Sequence, residues 1–223
     1  MTRTAMDRSR VYIHEDVHNL ANQVSNYLPN MGGHWPFSED IRHDLVGIFG
    51  QLRPCGRWPR AVNLWEADWP RLAAQLVEQF GESRVASPDF EVWWRRSLTQ
   101  RKGGFDRFML PGPGSPPLAE IRTGEPLPCV IQQKSRVRPG AAEDYLADFA
   151  DRAARELAGS RWRPLMWFVC LHSAETFVYL AGPSWDGVLD VAATLPGTDP
   201  SWGQAALLTS TLQAWDNSLY LRR

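Results

Sequence analysis

The hydrophobic and polar positions of this chain follow one pattern twice. Short alternating segments typical of strands stand before longer stretches with helical periodicity, and the same order returns in the second half. Matching Trp69 with Trp185 requires nearly the same displacement along the chain as matching His14 with Gln132. The pattern therefore predicts two structurally similar halves. The matching segments are residues 11–17 with 130–137, 60–76 with 176–191, and 105–110 with 217–223.

Each half predicts the order β-α-β-β-α-β, with an extra helix before the closing strand. In the first half Pro29 is expected to end the first helix, and Asp68 is a plausible N-cap for a helix over residues 69–80. Gly103 and Gly104 are expected to stop the next helix, which begins near Pro88. The remaining predicted strands are residues 44–52, 60–66, 164–173 and 175–182, and the remaining helices are residues 141–158 and those beginning at Ser184 and Asp199.

The predicted fold class is α+β, built from two tandem ferredoxin-like units. A run rich in proline and glycine, PGPGSPP, lies between the halves and predicts a linker. The expected organisation is an N-terminal unit over residues 1–110, a linker over 111–127 and a C-terminal unit over 128–223.

Composition restricts the class of function. The chain has 223 residues and a net charge of −1, which argues against a nucleic-acid partner because such proteins need a basic surface. No apolar run reaches the length of a membrane span or a secretory signal, so a soluble cytoplasmic protein is expected. Three irregularly spaced cysteines suggest neither a disulfide framework nor a metal site, and no histidine motif predicts a metal.

The 11 tryptophans are spread through both halves. Most are expected in the core, since large aromatic side chains fill volume well. A few could line a pocket for a flat organic ligand, because such pockets combine aromatic walls with a few polar groups.

The first strand offers the best candidate chemistry. Alternation places Tyr12, His14 and Asp16 on one face, and we assign this face to the cavity because the opposite face is more apolar. Glu15 is the weak point, since a carboxylate on a packed face needs a partner. The alternative is that Glu15 and Gln133 form the inward pair.

The repeat extends the candidate site to other strands. It maps the first-strand set onto Val130, Gln132 and Lys134, and it matches Asn63 with Tyr179. Asn63 and Trp65 are expected to face the cavity, where Asn63 could bind a carbonyl or enolate oxygen and Trp65 could stack on a ring. Packing with a satisfied amide is the structural alternative for both.

His14 is the first candidate for a catalytic acid or base, with Asp16 holding its tautomer. The alternative is a hydrogen-bonded strand histidine with no catalytic role. His172 could approach the same cavity, but a position at a hairpin end is favoured. His43 is expected in a solvated loop.

The run QQKSRVRPGAAEDYLADF, the hairpin and Trp-led helix after it, and the closing Asp-Pro-x-Trp helix resemble the NIPSNAP group of the dimeric α/β-barrel superfamily. In the first half IHEDV and NLWEADW resemble tandem actinobacterial members. The resemblance implies two ferredoxin-like halves whose sheets pack face to face within one chain. The sequence departs from that pattern where VHNLAN replaces a Pro-Gly turn after the first strand. The superfamily includes cofactor-free monooxygenases, cyclases, isomerases and haem enzymes, so it implies a small-molecule function without choosing among these.

The favoured function is a cofactor-independent cyclase or isomerase of specialised, polyketide-like metabolism, working as a monomer or homodimer. His14 would move the proton, Asp16 would orient it, and Asn63, Gln132 or Lys134 would stabilise developing oxygen charge. One alternative is a haem enzyme with His172 or His14 as axial ligand. The others are a cofactor-free monooxygenase and a non-catalytic ligand-binding or scaffold protein.

Overall fold

A computed structural model describes residues 5–32, 43–51, 59–80, 88–122, 129–156, 163–182 and 212–222. The chain divides into two compact units. The first unit is Ser9–Phe108, and the second consists mainly of Met109–Arg222. The helices predicted to begin at Ser184 and Asp199 lie outside the described residues.

The first unit contains the predicted strands and helices. Strands β1, β3 and β2 form an antiparallel sheet in that order. The predicted N-cap is present, since the Asp68 carboxylate accepts a hydrogen bond from the backbone N–H of Arg71 at 2.7 Å. The elements are β1 (Arg10–Asn19), α1 (Val24–Gly32), β2 (Asp44–Gln51), β3 (Arg60–Asp68), α2 (Trp69–Phe80), α3 (Pro88–Thr99) and β4 (Arg101–Pro111).

Two boundaries in this unit differ from the prediction. Helix α1 includes Pro29 and continues to Gly32, so the proline does not end it. Tyr27 and Met31 of this helix are fully buried, and their packing offsets the backbone hydrogen bond that a proline removes. Strand β4 begins at Arg101, before the two glycines that were expected to stop a helix.

The second unit has the strand order β8-β5-β7-β6, with the closing strand beside the first as in a ferredoxin-like unit. The end of β4, Met109–Pro111, pairs with β6. Its elements after β4 are α4 (Leu118–Arg122), β5 (Cys129–Val137), α5 (Ala142–Glu156), β6 (Arg163–Cys170), β7 (Glu175–Gly182) and β8 (Leu212–Arg222).

The start of the expected linker packs closely within the second unit. The indole N–H of Trp167 donates to the carbonyl of Pro113 at 2.8 Å, and the Gly112 N–H donates to the Trp167 carbonyl at 2.9 Å. A β-carbon on Gly112 would lie 2.7 Å from side-chain atoms of Leu146 and Trp167. This part of the proline-rich run is therefore a packed corner.

Strand register corrects one match between the halves. Glu15 lies opposite Asn63 in the first unit, and its counterpart Gln133 lies opposite Val178 in the second. Asn63 therefore corresponds to Val178, and the match with Tyr179 is wrong by one residue. Because side chains alternate between faces, this displacement moves the counterpart to the other side of the sheet.

Candidate functional site

A cavity of about 750 Å³ lies in the first unit, between the sheet and the helices that cover it. Its walls come from β1, β3, the first half of β4, and helices α1, α2 and α3. The lining residues are Ile13, Glu15, Met31, His43, Trp65, Leu72, Leu76, Phe90, Trp93, Trp94, Leu98, Arg101, Gly103, Gly104, Asp106 and Phe108.

The register of β1 and β3 explains how a carboxylate comes to line this apolar space. Glu15 lies directly opposite Asn63, and Ile13 lies opposite Trp65. Directly opposed residues in an antiparallel pair share a face, so these four side chains point toward the helices. The prediction that Glu15 lies on the helix-packed face is confirmed.

Glu15 obtains the partners that a carboxylate on this face requires. Its Oε2 atom accepts hydrogen bonds from Asn63 Nδ2 at 2.8 Å and from the Trp65 indole N–H at 2.9 Å. Arg101 Nη1 lies 3.8 Å from Oε1, and both side chains of this ion pair are largely buried. The carboxylate is therefore held by donors on β3 and by a cation from β4.

A buried tyrosine extends this network toward α1. Asn63 Nδ2 also donates to the Tyr27 hydroxyl at 2.7 Å. Burial, followed by the negative charge of Glu15, raises the pKa of the Tyr27 hydroxyl well above its usual value. Tyr27 therefore stays protonated at any physiological pH.

Asp106 on β4 is the second acidic residue of the cavity. It remains accessible to solvent, but burial of its carboxyl and the nearby charge of Glu15 raise its pKa from 3.8 to about 6. Arg101 and Arg107 act in the opposite direction. A carboxylate with such a pKa is mostly ionised at neutral pH and binds a proton more strongly than an ordinary aspartate.

Aromatic side chains of α3 form one wall. Phe90 and Trp94 stack with ring centroids 6.3 Å apart and nearly parallel planes, at an angle of 6°. The guanidinium carbon of Arg101 lies 4.5 Å from the centroid of the Trp94 ring. The Trp93 indole N–H donates to the Asn30 carbonyl at 2.8 Å, which fixes a second ring of this wall. These rings offer flat apolar surface beside the charged groups.

The three candidates on the other face of β1 lie away from this cavity. Tyr12, His14 and Asp16 are all buried, and none of them lines it. Asn63 and Trp65 face the helices, so the expectation that they share a face with His14 and Asp16 is wrong. The register between β1 and β3 determines which of their side chains share a face of the sheet, and a single sequence does not reveal that register.

Asp16 and Tyr12 have defined partners on their own face. The Asp16 carboxylate pairs with Arg60, whose Nε donates to Oδ1 at 2.7 Å, and with Arg107 at 3.8 Å. The Tyr12 hydroxyl donates to Glu66 and accepts a hydrogen bond from Arg10 Nη1 at 2.9 Å. The role of Asp16 in orienting His14 stays a prediction.

The candidates of the second unit form two separate contacts. Gln132 Nε2 donates to the Tyr179 hydroxyl at 2.7 Å, and both side chains are buried. Lys134 lies 3.6 Å from Glu175 in an ion pair. The register places Gln132 opposite Tyr179, so these two share one face as expected.

Two histidines occupy different surroundings. His172 is exposed in the turn between β6 and β7, which agrees with the favoured hairpin-end position. His43 was expected in a solvated loop, but it is buried, lines the cavity, and lies 6.4 Å from the Trp65 ring between centroids.

Within the described ranges, no three His, Cys, Asp or Glu side chains gather closely enough to hold a metal ion. The same ranges contain no helix that is both long and apolar enough to cross a bilayer.

Sequence reasoning missed Arg101 and Asp106. The paired glycines before Phe105 predict the end of a helix, which assigns Arg101 to that helix and leaves Asp106 at the start of a short strand. Asp106 and Phe108 alternate as in a strand that starts earlier, and this alternation was the available signal.

Comparison with known proteins shows similarity at the level of the fold. No protein-family model and no curated protein matches the chain. An anthrone oxidase-like protein matches with a TM-score of 0.62 and 9% identity, covering 99% of this chain and 93% of the other. A candidate monooxygenase from Lactobacillus acidophilus matches with a TM-score of 0.59 and 10% identity over 96% and 94% of the two chains. A heme-binding protein from Thermus thermophilus gives a TM-score of 0.53 and 11% identity over 98% and 93%.

These neighbours confirm the predicted fold class. The chain has an α+β, ferredoxin-like fold, and its structural neighbours are proteins of the dimeric α/β-barrel type. Identities this low carry no activity from one protein to another, so the function depends on the chemistry of the cavity itself.

Haem proteins share this fold, and the sequence offers two candidate axial ligands. His172 is exposed in a turn, and His14 lies on the sheet face opposite the cavity. Neither residue fits a haem bound in the cavity of the first unit.

Proposed function

We propose that this protein is a small-molecule enzyme that removes a proton from an aromatic carbonyl compound bound in the first-unit cavity. The observation that carries the proposal is the placement of Asp106, Glu15 and Arg101 around one aromatic-lined space. A carboxyl group with a raised pKa inside a concave pocket, as Asp106 has here, is typical of acid and base catalysts.

Each polar group has a distinct part in the proposed step. Asp106 accepts a proton from a C–H beside a carbonyl, or from a phenolic O–H, and becomes a neutral carboxylic acid. The electrons of the broken bond move onto the substrate oxygen. Arg101, fixed between Glu15 and the Trp94 ring, supplies the positive charge that stabilises this oxygen.

The favoured outcome is that Asp106 returns the proton at another position, which makes the reaction an isomerisation or a ring closure. Such a reaction consumes no cofactor, since the proton removed and the proton returned balance. The volume of about 750 Å³ lies within the range of pockets that bury drug-sized ligands. Together with the aromatic wall this volume supports a flat, polyketide-like substrate of specialised metabolism. From the sequence resemblance we also propose that the protein is a NIPSNAP-like tandem member of the dimeric α/β-barrel superfamily that acts in the cytoplasm.

Hydrogen exchange tests the proton-transfer step directly. Anthrone has an acidic carbon beside its aromatic carbonyl system, and its exchange with D2O can be followed by proton NMR in the absence of oxygen. We expect the protein to accelerate exchange at this carbon and Asp106→Asn to reduce the acceleration about 100-fold or more. His14→Ala is the matched variant on the opposite sheet face and should retain most of the rate.

The opposite result would assign the chemistry to the other face of β1. If His14→Ala abolished exchange while Asp106→Asn kept it, the roles first predicted for His14 and Asp16 would stand. Binding of anthrone without any exchange would support a non-catalytic ligand-binding protein.

A cofactor-independent oxygenase is the second candidate, favoured by the structural similarity to an anthrone oxidase-like protein and a candidate monooxygenase. The first step is the same, but the substrate carbanion then passes its electrons to dioxygen. Anthrone and one dioxygen would give anthraquinone and one water. Consumption of one dioxygen per anthraquinone formed would favour this outcome, and exchange without oxygen uptake would favour the isomerase.

A further inference from the structure

We propose that Glu15, held in the first-unit cavity by Asn63 and Trp65, adds to how strongly Asp106 holds its proton. The inference deepens the proposed proton-transfer function and rests on it for its biological meaning. Glu15 is thereby a positioning residue, and Asp106 is the group that meets the substrate.

The hydrogen bonds around Glu15 distinguish it from a catalytic carboxylate. Asn63 and Trp65 both donate to one oxygen, and Arg101 stands near the other. The two hydrogen bonds occupy the lone pairs of Oε2, and the cation beside Oε1 stabilises the ionised form of Glu15 over a protonated one. Asp106 lines the same cavity and is exposed, so it is the carboxylate that a ligand can reach.

The positions of the donors are fixed by the sheet. Asn63 is the residue directly opposite Glu15, and Trp65 is its diagonal neighbour two residues along β3. The Asn63 amide also donates to the Tyr27 hydroxyl, which ties the network to α1. Glu15 is therefore held by β3 and, through the Asn63–Tyr27 contact, by α1, in the cavity that Asp106 also lines.

Several charged or titratable groups interact with the Asp106 carboxyl or share its cavity. They lie on β1, on β4, on α1 and just before β2. Burial of the Asp106 carboxyl favours its protonated form most, Glu15 adds to this, and two arginines favour the ionised form. Besides Glu15 on β1, these groups are Arg101 and Arg107 on β4, Tyr27 on α1, and His43 before β2. Of these, Glu15 is the largest charged contribution in the direction of protonation.

Carbon NMR of the intact protein tests this without a substrate. With 13C-labelled aspartate carboxyls, the Asp106 signal is assigned by its loss in Asp106→Asn and is followed from acidic to neutral pH. We expect the wild-type midpoint near the value of about 6. Glu15→Gln keeps an oxygen acceptor for Asn63 and Trp65 but removes the charge, so the midpoint should fall by roughly 0.5 to 1 pH unit.

Two further variants separate charge from structure. Glu15→Asp keeps the negative charge, so its midpoint should stay closer to wild type than that of Glu15→Gln, and a merely structural role would move both alike. Glu91→Gln removes an exposed carboxylate on α3 outside the cavity and should leave the midpoint unchanged. An unchanged Asp106 midpoint in folded Glu15→Gln would overturn the inference.

The outcome also separates this inference from the proposed function. If the midpoint falls as expected but Asp106→Asn leaves anthrone exchange unaffected, Glu15 tunes Asp106 and the proton-transfer proposal fails. If anthrone exchange depends on Asp106 but the titration midpoint of Asp106 does not change in Glu15→Gln, the proposed function stands and the role of Glu15 is refuted.

Discussion

The ionised carboxylate of Asp106, the proposed base, lowers the stability of the folded protein at neutral pH. Its pKa in the folded protein, about 6, lies above its ordinary value of 3.8. A raised carboxyl pKa means that the folded state disfavours the ionised form, so the cost is present at neutral pH. The cost disappears as the pH falls through 6 toward 4, where the folded and then the unfolded form take up the proton.

Asp106→Asn should therefore stabilise the protein at neutral pH while it removes the proposed base. We expect the Tm at pH 7 to rise by roughly 1 to 3 °C, and the gain to vanish near pH 4. Thermal unfolding of wild type and variant at both pH values measures this. Asp151→Asn, at an exposed position on α5, is the control and should show no such pH-dependent gain. A lower Tm for Asp106→Asn at pH 7 would contradict the assigned pKa direction.

At the residue scale the sequence predicts which side chains of one strand share a face, but it does not predict which residues of two strands lie opposite each other. Alternation correctly placed Glu15 on the helix-packed face and showed that it needs a partner. The partners are Asn63 and Trp65, which the sequence pattern assigns to the opposite face. Each strand offers only two faces, but the relation between two strands depends on pairing that a single sequence does not contain.

At the element scale β4 depends on one close backbone approach. A β-carbon on Gly104 would lie 2.9 Å from the backbone carbonyl oxygen of Asp16 on β1. Real β-carbons do not come that close to a backbone atom, so the strand could keep its place only with glycine here. The same strand carries Arg101 and Asp106 into the cavity.

Gly104→Ala should consequently displace β4 and weaken the site. We expect the free energy of unfolding to fall by about 1 to 3 kcal/mol, as for other substitutions that overpack a site. Urea denaturation monitored by tryptophan fluorescence gives this value. Lys102→Ala, two residues away and exposed, is the matched control and should change stability by less than about 0.5 kcal/mol. Equal stability of Gly104→Ala and wild type would show that the strand can move at little cost.

This contact also explains which elements could be predicted. Helix α2 has a local start signal in the Asp68 cap, and the predicted range of residues 69–80 is confirmed. Gly104 of β4, in contrast, is required by a close contact with the backbone of β1, which is far away in sequence. Local rules treat paired glycines as a helix stop, and they contain no term for a tertiary approach.

At the scale of the whole molecule, two similar units carry different polar groups at equivalent places. Glu15 lies opposite Asn63, whereas its counterpart Gln133 lies opposite Val178. Tyr27 of α1 contacts Asn63, whereas Tyr145 of α5 lies 3.4 Å from the Ser135 hydroxyl. Along the strand pair that corresponds to β1 and β3, the second unit therefore offers an apolar residue where the first offers an amide donor, while on the other edge of β5 the register pairs Gln133 with Asn217 of β8.

Gln133→Glu tests whether the amide opposite Glu15 on β3 is what matters, because it places a carboxylate opposite Val178 on β7, with Asn217 of β8 as the register partner on the other side. Gln133 is 2% exposed, so the new charge would be buried and the pKa of the introduced carboxyl would be raised. We expect the free energy of unfolding at pH 7.5 to fall by about 2 to 4 kcal/mol. The loss should shrink as the pH is lowered toward 4.5, because a raised folded-state pKa lets the carboxyl become neutral while the protein stays folded.

Gln133→Met separates the charge from the loss of the amide, since it fills a similar volume without ionising and its stability should not vary with pH in this way. Urea denaturation of both variants at the two pH values gives the comparison. Glu15→Gln is the reverse substitution in the first unit. It removes a negative charge that Asn63, Trp65 and Arg101 stabilise. A pH-independent and small loss for Gln133→Glu would mean that the second unit can also hold a buried carboxylate, and the difference between the units would then not lie in these donors.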